Sequence, residues 1–233
     1  MTSRIIAIAG AKGSPGCSFL AVALARCLAA GNISTLLLDA DAEGGGLAAM
    51  LDHVPATQAG ALEGNGLAAR VAQIDRCLWL AEVGQTGTEP CNGLELTSTA
   101  RSHHHAVVID LGHSAGPQQR QMSAASDWLL WVVMPDRSGL DRADRALASS
   151  VLDAASTGLV FNRIKRGCLD RADEVLSSRH GIRVMARIND DQRLAERVSR
   201  GRPARRRWGI KSTLHELARS VHPDVPSGVP AWF

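Results

Sequence analysis

Short apolar runs alternate along this chain with longer segments of helical periodicity. Residues 5–9, 35–38 and 106–109 are almost continuously apolar, which is typical of strands in a parallel sheet that is covered on both faces. Strands are predicted near residues 4–9, 34–39, 77–82, 106–111, 128–134, 158–162 and 182–188. Helices are predicted near residues 16–30, 115–126, 140–154, 170–180, 191–200 and 212–221.

This alternation predicts right-handed βαβ units and an α/β fold, a doubly wound, mostly parallel sheet with helices on both faces. With 233 residues, of which 45% are hydrophobic, the chain can bury one sizeable core. We therefore expect a single domain over residues 1–222, followed by a loosely held tail over residues 223–233. Residues 52–65 are irregular and rich in glycine, which predicts a loop region.

A turn rich in glycine and serine joins the first predicted strand to the first predicted helix. Its sequence over residues 10–18, GAKGSPGCS, departs twice from the phosphate-loop pattern GxxxxGK[ST]. Ala11 replaces the first glycine and Cys17 replaces the lysine, whereas Ser18 keeps the hydroxyl and Lys12 supplies a lysine elsewhere in the loop. Such loops bind phosphate because backbone N–H groups and a helix N-terminus present partial positive charge. The alternative is a plain strand-to-helix turn.

Carboxylates end two other predicted strands. Asp39 and Asp41 follow one apolar run, and Asp110 follows another. Ligands of open α/β sheets lie at the carboxyl ends of the strands, so the loop and these three acidic residues are expected at one edge. Because a Mg²⁺-nucleotide needs this combination, the pattern favours a nucleotide site over a plain turn.

Together, the motifs resemble those of the MinD/ParA ATPases, which have a deviant phosphate loop within the P-loop NTPase fold. The matching segments are residues 12–18, 38–41, 108–110, 127–136, 158–163 and 186–191, with Gly201-Arg202-Pro203. They lie in the family's order over about residues 4–220. The small residue Cys17 before Ser18, and the glycine run at 44–46, are similar to the CpaE/TadZ and septum-site-determining branch.

The resemblance implies ATP or ADP and Mg²⁺ as ligands, and a homodimer that forms on ATP binding. It implies that Ser18, Asp39 and Asp110 organise the metal and that Asn162 contacts the base. Lys12 would reach the phosphates of the partner subunit and Asp41 would position the attacking water, so both are candidate catalytic residues. The phosphate-binding residues would be Lys12, Gly13, Ser14, Pro15, Gly16, Cys17 and Ser18.

The function that this resemblance favours is a nucleotide-dependent positioning or assembly factor for a pilus, septum or cargo, working with a protein partner. Since Cys17 supplies no charge, we expect weak or partner-dependent ATP hydrolysis, and enzyme activity stays an open question. A non-hydrolysing scaffold of the same fold is an alternative, although the retention of Lys12, Asp39, Asp41 and Asp110 argues against it.

A basic segment over residues 197–211 favours another alternative. It has no acidic residue and includes Arg200, Arg202, Arg205, Arg206, Arg207 and Lys211. Such a segment can neutralise the phosphates of DNA or of an anionic membrane, as a ParA-type DNA-partitioning ATPase would require. The simpler interpretation is a solvated surface, because the net charge of the whole chain is only +3.

Cysteine and histidine usage adds two expectations. The five cysteines show no CxxC spacing, which predicts reduced thiols rather than a disulfide or zinc framework. The three histidines at residues 103–105 are predicted to form a solvated helix end rather than a metal site. With neither a secretory signal nor a membrane span expected, we predict a cytoplasmic protein that is recruited to a pole, septum, nucleoid or membrane surface.

Overall fold

The computed structural model describes residues 2–11, 15–41, 46–51, 60–61, 69–83, 92–113, 115–149, 154–165, 171–191, 196 and 210–228. Its strands are β1 (Arg4–Gly10), β2 (Thr35–Asp39), β3 (Gly60–Ala61), β4 (Ala69–Asp75), β5 (Leu78–Val83), β6 (Ala106–Gly112), β7 (Trp128–Val133), β8 (Thr157–Ile164) and β9 (Arg183–Asn189). Its helices are α1 (Cys17–Ala30), α2 (Gly46–Met50), α3 (Gly93–His103), α4 (Pro117–Ala124), α5 (Arg137–Ser149), α6 (Ala172–His180) and α7 (Ile210–Val221).

The strands form one nine-stranded sheet in the order β3-β4-β5-β2-β6-β1-β7-β8-β9. Neighbouring strands from β5 to β9 pair in parallel, whereas β3 and β4 pair antiparallel at one edge. The chain extends the sheet from β1 first toward β5 and later toward β9, so β1 lies at the topological switch point. The predicted doubly wound, mostly parallel fold is confirmed.

Alternate residues of β1 supply the two cores of the molecule. Ile6 and Ile8 belong to a buried cluster that includes α1, α2 and α7. Ile5 and Ala7 belong to a second cluster that includes α3, α4, α5 and α6. Helices therefore cover both faces of the sheet, as predicted. Val225, within the predicted tail, is buried in the first cluster, whereas residues 229–233 lie outside the described residues.

Four elements differ from the sequence predictions. The sequence did not predict the antiparallel pair β3–β4, and β4 lies near the sheet edge, where the burial that produces a clear apolar pattern is incomplete. It did not predict α3 either, which directs only Leu96 and Ala100 into the second core. The helix predicted at 140–154 begins earlier, at Arg137, because the Asp136 carboxylate accepts a hydrogen bond from Gly139 N at 2.6 Å. The helix predicted at 191–200 lies mostly outside the described residues.

The predicted solvated helix end at the three histidines is wrong for His104. α3 ends at His103, and His104 is 9% exposed. Its ring lies 3.2 Å from the Ser34 hydroxyl and 5.1 Å from the Trp79 ring centroid. Burial, with smaller effects from His103 and His105, lowers its pKa to about 4. The described residues contain no group of three or more His, Cys, Asp or Glu residues that could hold a metal ion.

The helices in the described part of the chain fall short of what a membrane span requires. None of them combines the necessary length with sufficient apolar character.

Candidate functional site

Three strands end beside one another at the carboxyl edge of the sheet. In the parallel register, Asp39 at the end of β2 lies opposite Asp110 in β6. On the other side of β6, Ile8 of β1 lies opposite Asp110, and the register shifts so that Ala9 pairs with Gly112. The turn that follows β1 therefore begins next to these carboxylates, and the predicted convergence of the loop and the acidic residues is observed.

Asp110 is fully buried, and its carboxyl group has a raised pKa. Its Oδ1 accepts a hydrogen bond from Gly112 N at 3.0 Å, whereas its buried Oδ2 makes no hydrogen bond to any described residue. The pKa of Asp110 is raised to about 6, mainly by burial and to a smaller extent by the carboxylates of Asp39 and Asp41, whereas hydrogen bonds with Ser18 and Gly112 oppose the rise. A group of carboxylates and a hydroxyl with a spare oxygen is the ligand chemistry that Mg²⁺ prefers.

Asp41 is held close to the backbone that follows Asp110. Its backbone N–H donates to Asp39 Oδ1 at 3.3 Å, so the two acidic residues are fixed relative to each other. Its carboxylate lies where a side chain on Gly112 would be, with Oδ1 only 2.6 Å from the position of a Cβ. Gly112 also has φ of +60°, which favours glycine. The sequence analysis did not select Gly112, although a glycine soon after a strand-ending aspartate was a usable signal.

Cys17, at the start of α1, packs closely against Gly10 at the end of β1. A Cβ on Gly10 would lie 2.8 Å from Cys17 Sγ, so this glycine allows the thiol to approach the strand. Cys17 is 5% exposed, and burial, with the charges of Asp110 and Asp41, raises its pKa well above the usual value. The thiol is therefore neutral where a phosphate loop normally has a lysine. Lys12, Gly13 and Ser14 lie outside the described residues.

The N-terminus of α1 points into this site. The helix begins at Cys17, and the preceding Gly16 has φ of +97° and no side chain to cap the first turn. The first turn contains no acidic residue. Free N–H groups at such a helix start, together with the helix dipole, attract anions.

Asn162, predicted to contact a base, lies directly against the loop. Its amide nitrogen donates to the carbonyl oxygen of Pro15 at 2.8 Å, and its amide oxygen accepts from Arg163 N at 2.9 Å. The side chain is buried, with 5% exposed. The contact with a base stays a prediction.

A cavity of about 520 Å³ extends from this loop toward the ends of β8 and β9. Its lining combines Ser18 and Asp41 with the apolar side chains of Phe19, Ile188 and Ile210. The volume lies within the range of small-molecule sites, which pair apolar walls with a few polar groups. The lining therefore offers a small molecule both polar groups and an apolar wall.

The predicted basic segment is described only at its end. Lys211 lies in the first turn of α7, whereas Arg200, Arg202, Arg205, Arg206 and Arg207 lie outside the described residues. Its contact with DNA or a membrane stays a prediction.

Comparisons with known proteins agree with this geometry. Residues 6–204 match the family model of the CobQ/CobB/MinD/ParA nucleotide binding domain. No curated protein sequence matches the chain.

Similar solved structures cover nearly the whole chain. They include the septum site-determining protein MinD of Pyrococcus horikoshii complexed with Mg-ADP (18% identity, TM-score 0.75, covering 94% of this chain and 96% of that one). A ParA family ATPase of Chlorobium tepidum is 17% identical, with a TM-score of 0.71 and coverage of 95% and 99%. The apo form of McdA from Cyanothece is 15% identical, with a TM-score of 0.72 and coverage of 96% and 100%. At these identities the likeness is one of fold.

Proposed function

Because the chain belongs to the CobQ/CobB/MinD/ParA nucleotide binding domain family, we propose that it is a nucleotide-dependent positioning or assembly factor. In this proposal it binds Mg-ATP, forms a homodimer and acts with a protein partner. The single observation that carries the proposal is a convergence at one edge of the sheet: Asp39 and Asp110 end neighbouring strands beside the end of β1, and the α1 N-terminus and Asp41 line one end of the 520 Å³ cavity. The narrower assignment to the CpaE/TadZ and septum-site-determining branch stays a prediction.

The metal site would be formed by Ser18 and Asp110, directly or through water, with support from Asp39. The buried Oδ2 of Asp110, which has no hydrogen-bond partner among the described residues, supports this assignment, because such an oxygen is suited to a divalent cation. Bound Mg²⁺ would neutralise charge on the phosphates. The opposite charge would also favour the ionised form of Asp110, whose pKa is raised in the structure.

Backbone N–H groups of the loop would hold the phosphates. The phosphate-binding segment would be Gly13, Ser14, Pro15, Gly16, Cys17 and Ser18, of which all but Pro15 have an N–H group. The open helix start at Cys17 supports this role. The apolar cavity wall formed by Phe19, Ile188 and Ile210 supports a purine ring beside Asn162.

Hydrolysis is expected to be slow because Cys17 is neutral. Catalysis of phosphoryl transfer depends mainly on stabilising developing charge, and a missing cation costs roughly 10²–10⁵ in rate. Lys12 would be the loop lysine that supplies this charge, across the dimer, and Asp41 would position the attacking water. The contact of Asp41 with Gly112 supports a fixed position for this carboxylate.

Light scattering coupled to size-exclusion chromatography tests the proposal, with phosphate release measured on the same samples. With saturating Mg-ATP, the parent protein should form a dimer. Lys12→Ala should stay monomeric, whereas Asp41→Ala should dimerise but release no phosphate. Lys165→Ala, which changes an exposed lysine outside the site, is the matched control and should dimerise normally. A parent protein that stays monomeric would refute the dimer.

The basic segment at residues 197–211 supports a second candidate, a ParA-type ATPase that binds DNA nonspecifically. Its affinity for random duplex DNA should depend on ATP and fall steeply with salt. Replacing Arg205, Arg206 and Arg207 with alanine together should abolish that binding. Binding to anionic vesicles instead of DNA would assign the segment to a membrane surface.

A further inference from the structure

The end of β8 is distorted where it approaches the loop after β1. Arg163 has φ of +57°, a left-handed conformation that is uncommon outside glycine. The pairing of β8 with β9 also shifts register between Phe161 and Ile164. Irregular backbone of this kind often occurs beside functional sites, where it re-aims a side chain. Asn162 is the residue directly before Arg163, so its side chain is the one that this irregular backbone orients.

The distortion fixes the amide group of Asn162. The N–H of Arg163 donates to Asn162 Oδ1 at 2.9 Å, which orients the amide so that Nδ2 donates to the Pro15 carbonyl at 2.8 Å. The two bonded residues, Asn162 and Pro15, are 147 positions apart in sequence. Because Asn162 is 5% exposed, water cannot easily replace this hydrogen bond.

Gly16 is shaped to receive the same amide. Its φ of +97° is a conformation that side chains rarely adopt, and Asn162 Nδ2 occupies the place that a Cβ on Gly16 would need. Gly16 is also the residue that caps α1. One side chain from β8 therefore contacts the two residues that connect the loop to its helix.

We propose that Asn162 is a positioning residue that holds Pro15 and Gly16, the described end of the phosphate loop, against the start of α1. The inference deepens the proposed function and rests on it for the identity of the ligand. Both polar atoms of the amide already bond to backbone groups of the protein. An amide supplies the donor and the acceptor that this arrangement needs on one planar group.

Hydrogen exchange of the nucleotide-free protein tests the loop directly. In Asn162→Ala, the amide of Leu20, which donates to the carbonyl oxygen of Gly16 at 3.0 Å, should exchange about tenfold faster than in the parent, the result expected from losing one buried hydrogen bond. Amides of β7 and α7 should be unchanged. Asn162→Ser is measured beside it as the smaller truncation. Asn189→Ala, which removes another amide from the cavity lining, should leave exchange of the Leu20 amide unchanged. Equal exchange in the parent and both Asn162 variants would overturn the proposal.

Calorimetric titration with Mg-ATP, Mg-GTP and Mg-tripolyphosphate separates positioning from base reading. If Asn162 holds the loop, Asn162→Ala should weaken the binding of ATP and of tripolyphosphate by the same factor, about tenfold. The ratio of the affinities for ATP and GTP should stay unchanged. A changed ratio with unchanged tripolyphosphate affinity would overturn the proposal and assign Asn162 to the base. If the parent binds none of these ligands, the proposed function fails, and the exchange experiment alone decides the role of Asn162.

Discussion

Replacing Asp110 with asparagine should stabilise the nucleotide-free protein and remove its Mg²⁺-dependent nucleotide binding. Burial raises the pKa of Asp110 from 3.8 to about 6. An acid whose pKa is higher in the folded state loses stability as pH rises from the unfolded value through the folded one. Above pH 6 the folded protein therefore holds a buried charge that the unfolded chain solvates better. At about 1.36 kcal/mol per pKa unit, this charge costs roughly 2–3 kcal/mol at pH 8.

Asparagine removes that charge and keeps the shape. Its amide oxygen can still accept the hydrogen bond that Gly112 N gives to Asp110 Oδ1. If the variant recovers about 1–2 kcal/mol, its melting temperature should rise by about 2–8 °C for a domain of this size. Thermal denaturation followed by circular dichroism at pH 8, without Mg²⁺ or nucleotide, measures this rise. At pH 5 the gain should be about half as large, because Asp110 of the parent is then largely protonated in the folded state.

Two controls complete the Asp110 experiment. Asp141→Asn changes an exposed carboxylate that pairs with Arg145 on α5, and it should shift stability by no more than about 0.5 kcal/mol. Adding Mg-ATP should raise the melting temperature of the parent but not that of Asp110→Asn. An Asp110→Asn protein that melts at or below the parent at pH 8 would refute the claim that the buried charge costs stability.

Three further predictions follow from the site and the core. Gly112→Ala should displace the Asp41 carboxylate and lower phosphate release to the level of Asp41→Ala; an unchanged rate would contradict the contact. Because the His104 pKa is lowered to about 4, the stability present above pH 6.5 should fall as pH drops toward 4. Over that pH range the free energy of unfolding, measured by urea denaturation, should fall less for His104→Gln than for the parent. An equal fall would contradict the lowered pKa of His104. Cys17→Lys should raise phosphate release by at least tenfold; a rate no higher than that of Cys17→Ala would contradict the missing-cation argument.

The central sheet was predictable because strands that are buried on both faces have continuously apolar sequences. β1, β2 and β6 are entirely or almost entirely buried along their length, so their segments are continuously apolar. The same argument predicted that Asp39 and Asp110 meet, since parallel strands end at one edge. α3 could not be predicted in this way, because it is polar on average and packs on one narrow side. Its capping residue, Asn92, was the available signal, since it accepts a hydrogen bond from Leu94 N.

The details of the site depend on contacts that sequence spacing does not reveal. The bond between Asn162 and Pro15 joins residues 147 positions apart. The contact between Asp41 and Gly112 depends on how the segment after β2 approaches the end of β6, which no local pattern encodes. The motif identified the loop, but burial of Cys17 and the raised pKa of Asp110 follow only from the folded arrangement.

Calorimetric titration of the parent protein with ATP, with and without Mg²⁺, tests the central claim most directly. The account predicts saturable binding at one site per chain that requires Mg²⁺ and is weakened at least tenfold by Ser18→Ala, which removes a proposed metal ligand. Absence of binding at millimolar ATP, or binding of equal strength without Mg²⁺ and in Ser18→Ala, would contradict it.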